Sequence, residues 1–178
     1  MGDWPSPAVS QVLISSFSRF CYSAIAARNQ GHAAAPASAT YPSANLAIYI
    51  PVFIPWTMQV QGGGWVNGSS VAGNADFGIY SADGVRLASR GSTARSGASA
   101  PQLDDFASTL LLPPGRYYMA HSASSGAANT SWMNTSITSA TGKTLGLLQQ
   151  ASAHPLPATM TPAAWASTGY PLIGFYVI

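Results

Sequence analysis

A chain of 178 residues, 47% hydrophobic and only 7% charged, is long enough for one domain with a real core. Its charge content lies far below the roughly one quarter usual for globular domains. All five acidic residues are aspartates, which leaves general acid–base catalysis little material, and a net charge of +2 without any basic run gives no footing for nucleic acid. The single cysteine, Cys21, excludes an internal disulfide. So few charges do little to keep copies apart, which suits a subunit of an assembly better than a free monomer.

Residues 1–16 read as an N-terminal arm or a short helix, and residues 17–178 as one β-sandwich domain. Val9, Val12, Leu13 and Phe17 fit a helical face over Pro7–Ser16, whereas Phe20 and Tyr22 alternate as in a strand over Phe17–Ile25. No basic region followed by an apolar core opens the chain, so a secretory leader is not expected.

Asn29 to Ser43 is a loop without periodicity. Leu46–Ile54 is a strand whose Pro51 lacks a ladder donor, which places it at an edge or a bulge. It is also too short and proline-interrupted to span a membrane. Trp56–Val66 follows as a second strand, with Met58, Val60 and Trp65 on one side and Gly62-Gly63-Gly64 interrupting it as a bulge or loop.

Asn74–Ser89 carries the clearest local signal. Phe77 and Ile79 alternate with Asp76, Gly78 and Tyr80, then Asp83-Gly84 turns the chain, then Val85 and Leu87 alternate with Arg86 and Ala88. That pattern predicts an antiparallel hairpin with one buried face per strand. Asp76 and Arg86 are placed to pair across it on an exposed face.

Arg90–Ala100 reads as an exposed connection and Asp104-Asp105 as a turn. Ser108–Leu112 is a strand, Pro113-Pro114-Gly115 a turn with glycine at positive φ, and Arg116–Ser122 its partner strand. On that strand Tyr117, Met119 and His121 share one face, and Tyr118 and Ala120 the other. Trp132–Thr138 and Leu145–Gln149 are further strands. Gln150–Ser167 follows the surface, and Leu172–Ile178 closes the chain as a strand tied into a sheet. Short strands separated by regular turn signals predict an all-β fold, a single antiparallel β-sandwich of jelly-roll type.

Chemistry-bearing patterns are sparse. Gly142-Lys143-Thr144 matches the end of a phosphate-binding loop, but Ile137 stands where that loop needs glycine. His32, His121 and His154 are far apart and share no metal-type spacing with each other or with a carboxylate. Asp104 and Asp105, adjacent on an extended chain, would face apart. Neither a cofactor nor a metal is expected, and no catalytic residue is assigned. Trp65, beside the glycines, and Trp132, beside a small-residue loop, are the tryptophans expected at the surface. With Trp4, Phe17 and Phe20 they form the candidate interface set, since exposed aromatics mark contact surfaces.

Several segments together resemble small β-sandwich proteins from the virions of tailed bacteriophages. They are Phe20-Cys21-Tyr22, the run from Leu46 to Pro55, Gly78-Ile79-Tyr80-Ser81-Ala82-Asp83-Gly84, the run from Leu112 to Tyr118, and Pro171-Leu172-Ile173-Gly174-Phe175. Residues 123–165 lie outside the resemblance. It implies a non-enzymatic virion component, assembled in the bacterial cytoplasm. Members of such groups serve as capsid decoration or cement proteins, head fibres, or tail-fibre and spike modules. The single-domain size, the N-terminal arm and the uncharged surface favour an oligomeric capsid decoration or cement protein bound to the major capsid protein. The alternative is a tail-fibre or receptor-binding module recognising host glycan. Neither form calls for nucleic acid or a membrane as partner.

Overall fold

The computed structural model describes residues 37–127, 131–134, 139–167 and 169–177. The sequence readings of a helix over Pro7–Ser16 and a strand over Phe17–Ile25, and the candidate interface residues Trp4, Phe17 and Phe20, lie outside the described residues.

The large sheet is built on β2 (Leu46–Ile54), β8 (Gly115–Ala123) and β4 (Asn74–Ser81), paired antiparallel in the order β2-β8-β4. β5 (Arg86–Ser89) and β6 (Thr93–Ala94) extend it past β4, and β10 (Leu148–Gln150) and β11 (Ala163–Ala164) extend it past β2. A facing sheet has the order β13-β3-β7, made of β13 (Ile173–Val177), β3 (Met58–Val66) and β7 (Pro101–Leu112). A small third sheet joins β1 (Ala37–Ala39), β9 (Ser131–Asn134) and β12 (Tyr170–Pro171), and among the described residues one short helix, α1, spans Ser139–Thr144. The fold is therefore all-β and antiparallel, as the turn spacing predicts.

Alternation decides what lies between the layers. Ile48, Ile50, Val52 and Ile54 of β2, Phe77 and Ile79 of β4, and Tyr117 and Met119 of β8 point inward. They meet Met58, Val60 and Trp65 of β3, Phe106 and Leu112 of β7, and Ile173 and Phe175 of β13. Burying side chains of this size contributes on the order of 1.5–3 kcal/mol each, and this is the main term holding the layers together.

Pro51 lies in β2 beyond the stretch that β10 pairs, Ala47–Tyr49, so it sits at an edge, as its missing N–H requires. The glycines behave otherwise than expected. β3 runs through Gly62-Gly63-Gly64 as the middle strand of its sheet, paired on both sides. The irregularity falls at Gln61, where β3 carries one residue more than β13. Because strand faces alternate every residue, that insertion resets the phase. Met58 and Val60 before it, and Gly63 and Trp65 after it, then share the inner face.

Further readings are corrected. Asp104 and Asp105 lie inside β7, opposite Gly63 and Gly62, and not in a turn. The break comes just after them, between Asp105 and Leu110, which flank the same Gln61. β8 does not pair with β7. Pro113-Pro114 carry the chain from one sheet to the other, and Gly115 is not among the residues with positive φ. The hairpin β4–β5 forms, with Gly84 at φ +82 and its N–H bonded to Ser81 O at 3.0 Å. Its strands do not have one buried face each, however. β4 is buried on both faces from Ala75 to Tyr80, while Val85 and Leu87 are exposed because β5 is the sheet's outer strand.

β4 is buried twice because Gln150–Ser167 does not simply follow the surface. Ala153, Leu156 and Met160 cover the outer face of the large sheet, over Ala47, Tyr49, Tyr80 and Ala120. Backbone bonds fix this cover: Ala153 N to Asn45 O, Arg86 N to Ala158 O, and Met160 N to Gly84 O. Farther on, the Trp165 ring packs on Gly142 of α1, where any Cβ would overlap it. The glycine of Gly142-Lys143-Thr144 thus serves packing, while Lys143 and Thr144 are exposed.

Candidate functional site

The polar side chains buried in the sandwich are mostly committed to structure. Asp76 faces outward from β4 but is fully covered by the 153–160 segment. One carboxylate oxygen accepts from Gly91 N at 2.9 Å, the other from Leu156 N at 3.0 Å, and Ser89 Oγ donates to both. Desolvation holds its pKa above the usual carboxylate value, against the pull of those donors and of Arg86. The exposed Asp76–Arg86 pair expected from the sequence is therefore replaced by a buried hub, while Arg86 Nη1 donates to Leu156 O and Tyr80 OH to Pro157 O.

On the inner face His121 packs between Tyr41 and Trp65, with ring centroids 5.4 and 5.5 Å away. It is completely buried, and burial and the nearby Arg95 push its pKa well below the ordinary histidine value. Tyr41 OH bonds to His121 O at 3.0 Å and lies 3.3 Å from Nδ1. Trp65 is 1% exposed, and its indole N–H donates to Asn67 Oδ1 at 2.9 Å. Trp65 is thus a core residue, contrary to the sequence reading. The glycines beside it form strand rather than loop, so nothing carries it to the surface. Trp132 lies in β9, opposite Ser38. Among the described residues no three histidines, cysteines or carboxylates gather as metal ligands, and no helix is long and apolar enough to cross a membrane.

The exposed aromatic surface lies elsewhere. At one end of the sandwich both crossings between the facing sheets run side by side. Ile54 pairs with Gly115 in one sheet and Met58 with Leu112 in the other, which sets the β2–β3 turn next to the β7–β8 turn. Tyr117 OH holds the second turn by donating to Pro113 O at 2.9 Å. Three large apolar side chains are exposed there: Phe53 at 62%, Trp56 at 49% and Leu111 at 65%. Pro55, Pro113 and Pro114 are exposed between them, and Arg116 brings the charge. Phe53 and Leu111 are exposed by strand alternation, since their neighbours Ile54 and Leu112 point into the core.

An apolar end of this kind can bury area against a partner without first desolvating charge. Its prolines and paired strand ends limit the entropy lost on binding. Sequence reasoning missed it because it looked beside glycines. The usable signal was Ile54-Pro55-Trp56 and Leu111-Leu112-Pro113-Pro114, where apolar residues run straight through predicted turns.

The fold is an all-β sandwich, and at this end large apolar side chains are exposed on the outer face of each sheet and on the turn between them. Comparison of the chain with family models, with curated proteins and with solved structures finds no match.

Proposed function

We propose that this chain is a structural protein of a bacteriophage virion, a capsid decoration or cement protein that docks on the major capsid protein through the apolar end. The observation that carries the reading is that end, with Phe53 and Leu111 exposed near the ends of β2 and β7 and Trp56 on the turn after β2. The low charge of the chain supports it, since a subunit held in a lattice needs little charge to stay dispersed. The sequence resemblance to virion β-sandwich proteins points the same way. On this reading the virion role itself calls for neither catalysis nor a cofactor, and the protein acts as a homo-oligomer on the particle.

Co-sedimentation with capsids stripped of this protein tests the proposal. The unmodified chain pellets with the capsids, and Trp56→Ser with Phe53→Ser leaves it in the supernatant. Equal pelleting of both chains contradicts the docking surface.

Trp56 supports a second reading, as a fibre module that stacks host glycan on its half-exposed indole. A glycan array separates the two, because the cement reading expects no bound sugar.

A further inference from the structure

At the end opposite the apolar turns, three segments bring polar side chains into line. Ser92 is exposed on the connection between β5 and β6. Its Oγ lies 3.0 Å from His154 Nε2. The other ring nitrogen, Nδ1, lies 3.0 Å from Oγ of Ser122, a fully buried residue on β8 paired with Asp76. Asn74 Nδ2 donates to Ser92 Oγ at 3.0 Å.

Partial burial and Arg95 hold the His154 pKa below the ordinary value, against the opposing field of Asp76, so its ring is neutral near pH 7. A neutral imidazole has one N–H. Ser92 Oγ already accepts the Asn74 amide and has one proton to give. The tautomer that uses these groups best has Nδ1–H directed at Ser122 and Nε2 accepting from Ser92. This is the relation of hydroxyl, base and orienting group that activates serine nucleophiles.

We propose that Ser92 is an activated nucleophile, with His154 as its general base, that accepts acyl groups from small activated esters. The Ser92 Oγ bonds to the ester carbonyl carbon, and the bond from that carbon to the leaving oxygen breaks. The Oγ proton passes to Nε2 and on to the departing alkoxide. Water, deprotonated by the same Nε2, then releases the acid and restores Ser92. This activity goes beyond the structural role proposed above and does not rest on it.

The test is to treat the full chain with a fluorophosphonate probe and locate the adduct by peptide mass spectrometry. Attack forms an Oγ–P bond and expels fluoride, while His154 takes the proton. The expected result is a dominant adduct at Ser92. It is lost in Ser92→Ala and slowed roughly a hundredfold in His154→Gln, the size of a general-base contribution. Ser108→Ala, on the far strand β7, leaves the rate unchanged. No adduct at Ser92 in the unmodified protein, or labelling there no faster than at other exposed serines, overturns the proposal whether or not the variants fold. Equal labelling of a folded His154→Gln overturns the role of the histidine.

Discussion

Phe77 of the large sheet fills the space that Gly63 of the facing sheet leaves by having no side chain, and a Cβ at position 63 would overlap its ring. The same ring stacks on Phe106, with centroids 5.9 Å apart and planes 12° from parallel. Sheet separation at the centre of the sandwich is therefore set by one glycine and one phenylalanine. Gly63→Ala is expected to destabilise the fold by about 1–3 kcal/mol, the usual cost of overpacking. Combining it with Phe77→Leu relieves the overlap, so the double variant loses less than the sum of the two single losses. Urea denaturation of the four proteins measures this, and strict additivity contradicts the contact.

Asp76 joins β4 to Ser89, to Gly91 and, through Leu156, to the covering segment. Asp76→Ala leaves two backbone N–H groups and a hydroxyl without their acceptor. Each such buried loss costs about 1–3 kcal/mol, so a fall of about 3 kcal/mol or more is expected. Asp76→Asn keeps the shape but turns an N–H₂ toward a donor, and it too is expected to be less stable than the parent. A denaturant midpoint unchanged by either substitution rules out the hub.

Acid is expected to weaken the fold below the histidine range. His121 is buried beside Arg95, with His154 also in its field, and its folded pKa lies well below the unfolded value near 6.5. The unfolded chain therefore takes up a proton that the folded chain does not. Its stability contribution is complete above the unfolded pKa and is lost as pH falls, by up to about 1.4 kcal/mol per pH unit for each such histidine. His154 acts in the same direction down to its own lowered pKa. Asp76, whose folded pKa is raised, has the opposite sign, because the folded state holds the proton more tightly as pH approaches the carboxylate range. Urea midpoints should fall between pH 7 and pH 5, and His121→Leu should flatten that slope. A flat profile in the parent protein contradicts the burial of His121.

The apolar end should be separable from stability. Phe53, Trp56 and Leu111 are exposed, so replacing them with serine is expected to change the unfolding free energy by no more than roughly 0.5 kcal/mol per site. The same changes are expected to abolish docking. Large destabilisation would mean that these residues hold the fold together, and the contact reading would lose its basis.

The hairpin around Gly84, the strand Leu46–Ile54 and the closing strand were legible because alternation and turn chemistry are local. The partner of β8 was not, because Pro113-Pro114 mark a turn without saying whether it joins neighbours in one sheet or crosses between two. Trp65 was misplaced for a related reason. Three glycines look like a loop in sequence, and only their packing in the fold, Gly63 on the Phe77 ring and Gly62 and Gly64 on the backbone of β7, explains why a central strand carries them. The burial of Asp76 gave no signal, since its cover comes from a segment 80 positions along the chain.

The most direct test of the central claim is cryo-electron microscopy of the particle that carries this protein. The account predicts a small β-sandwich on the capsid surface, with Phe53, Trp56 and Leu111 buried against the major capsid protein. Density at a fibre tip, or on the capsid with that end facing solvent, would contradict it.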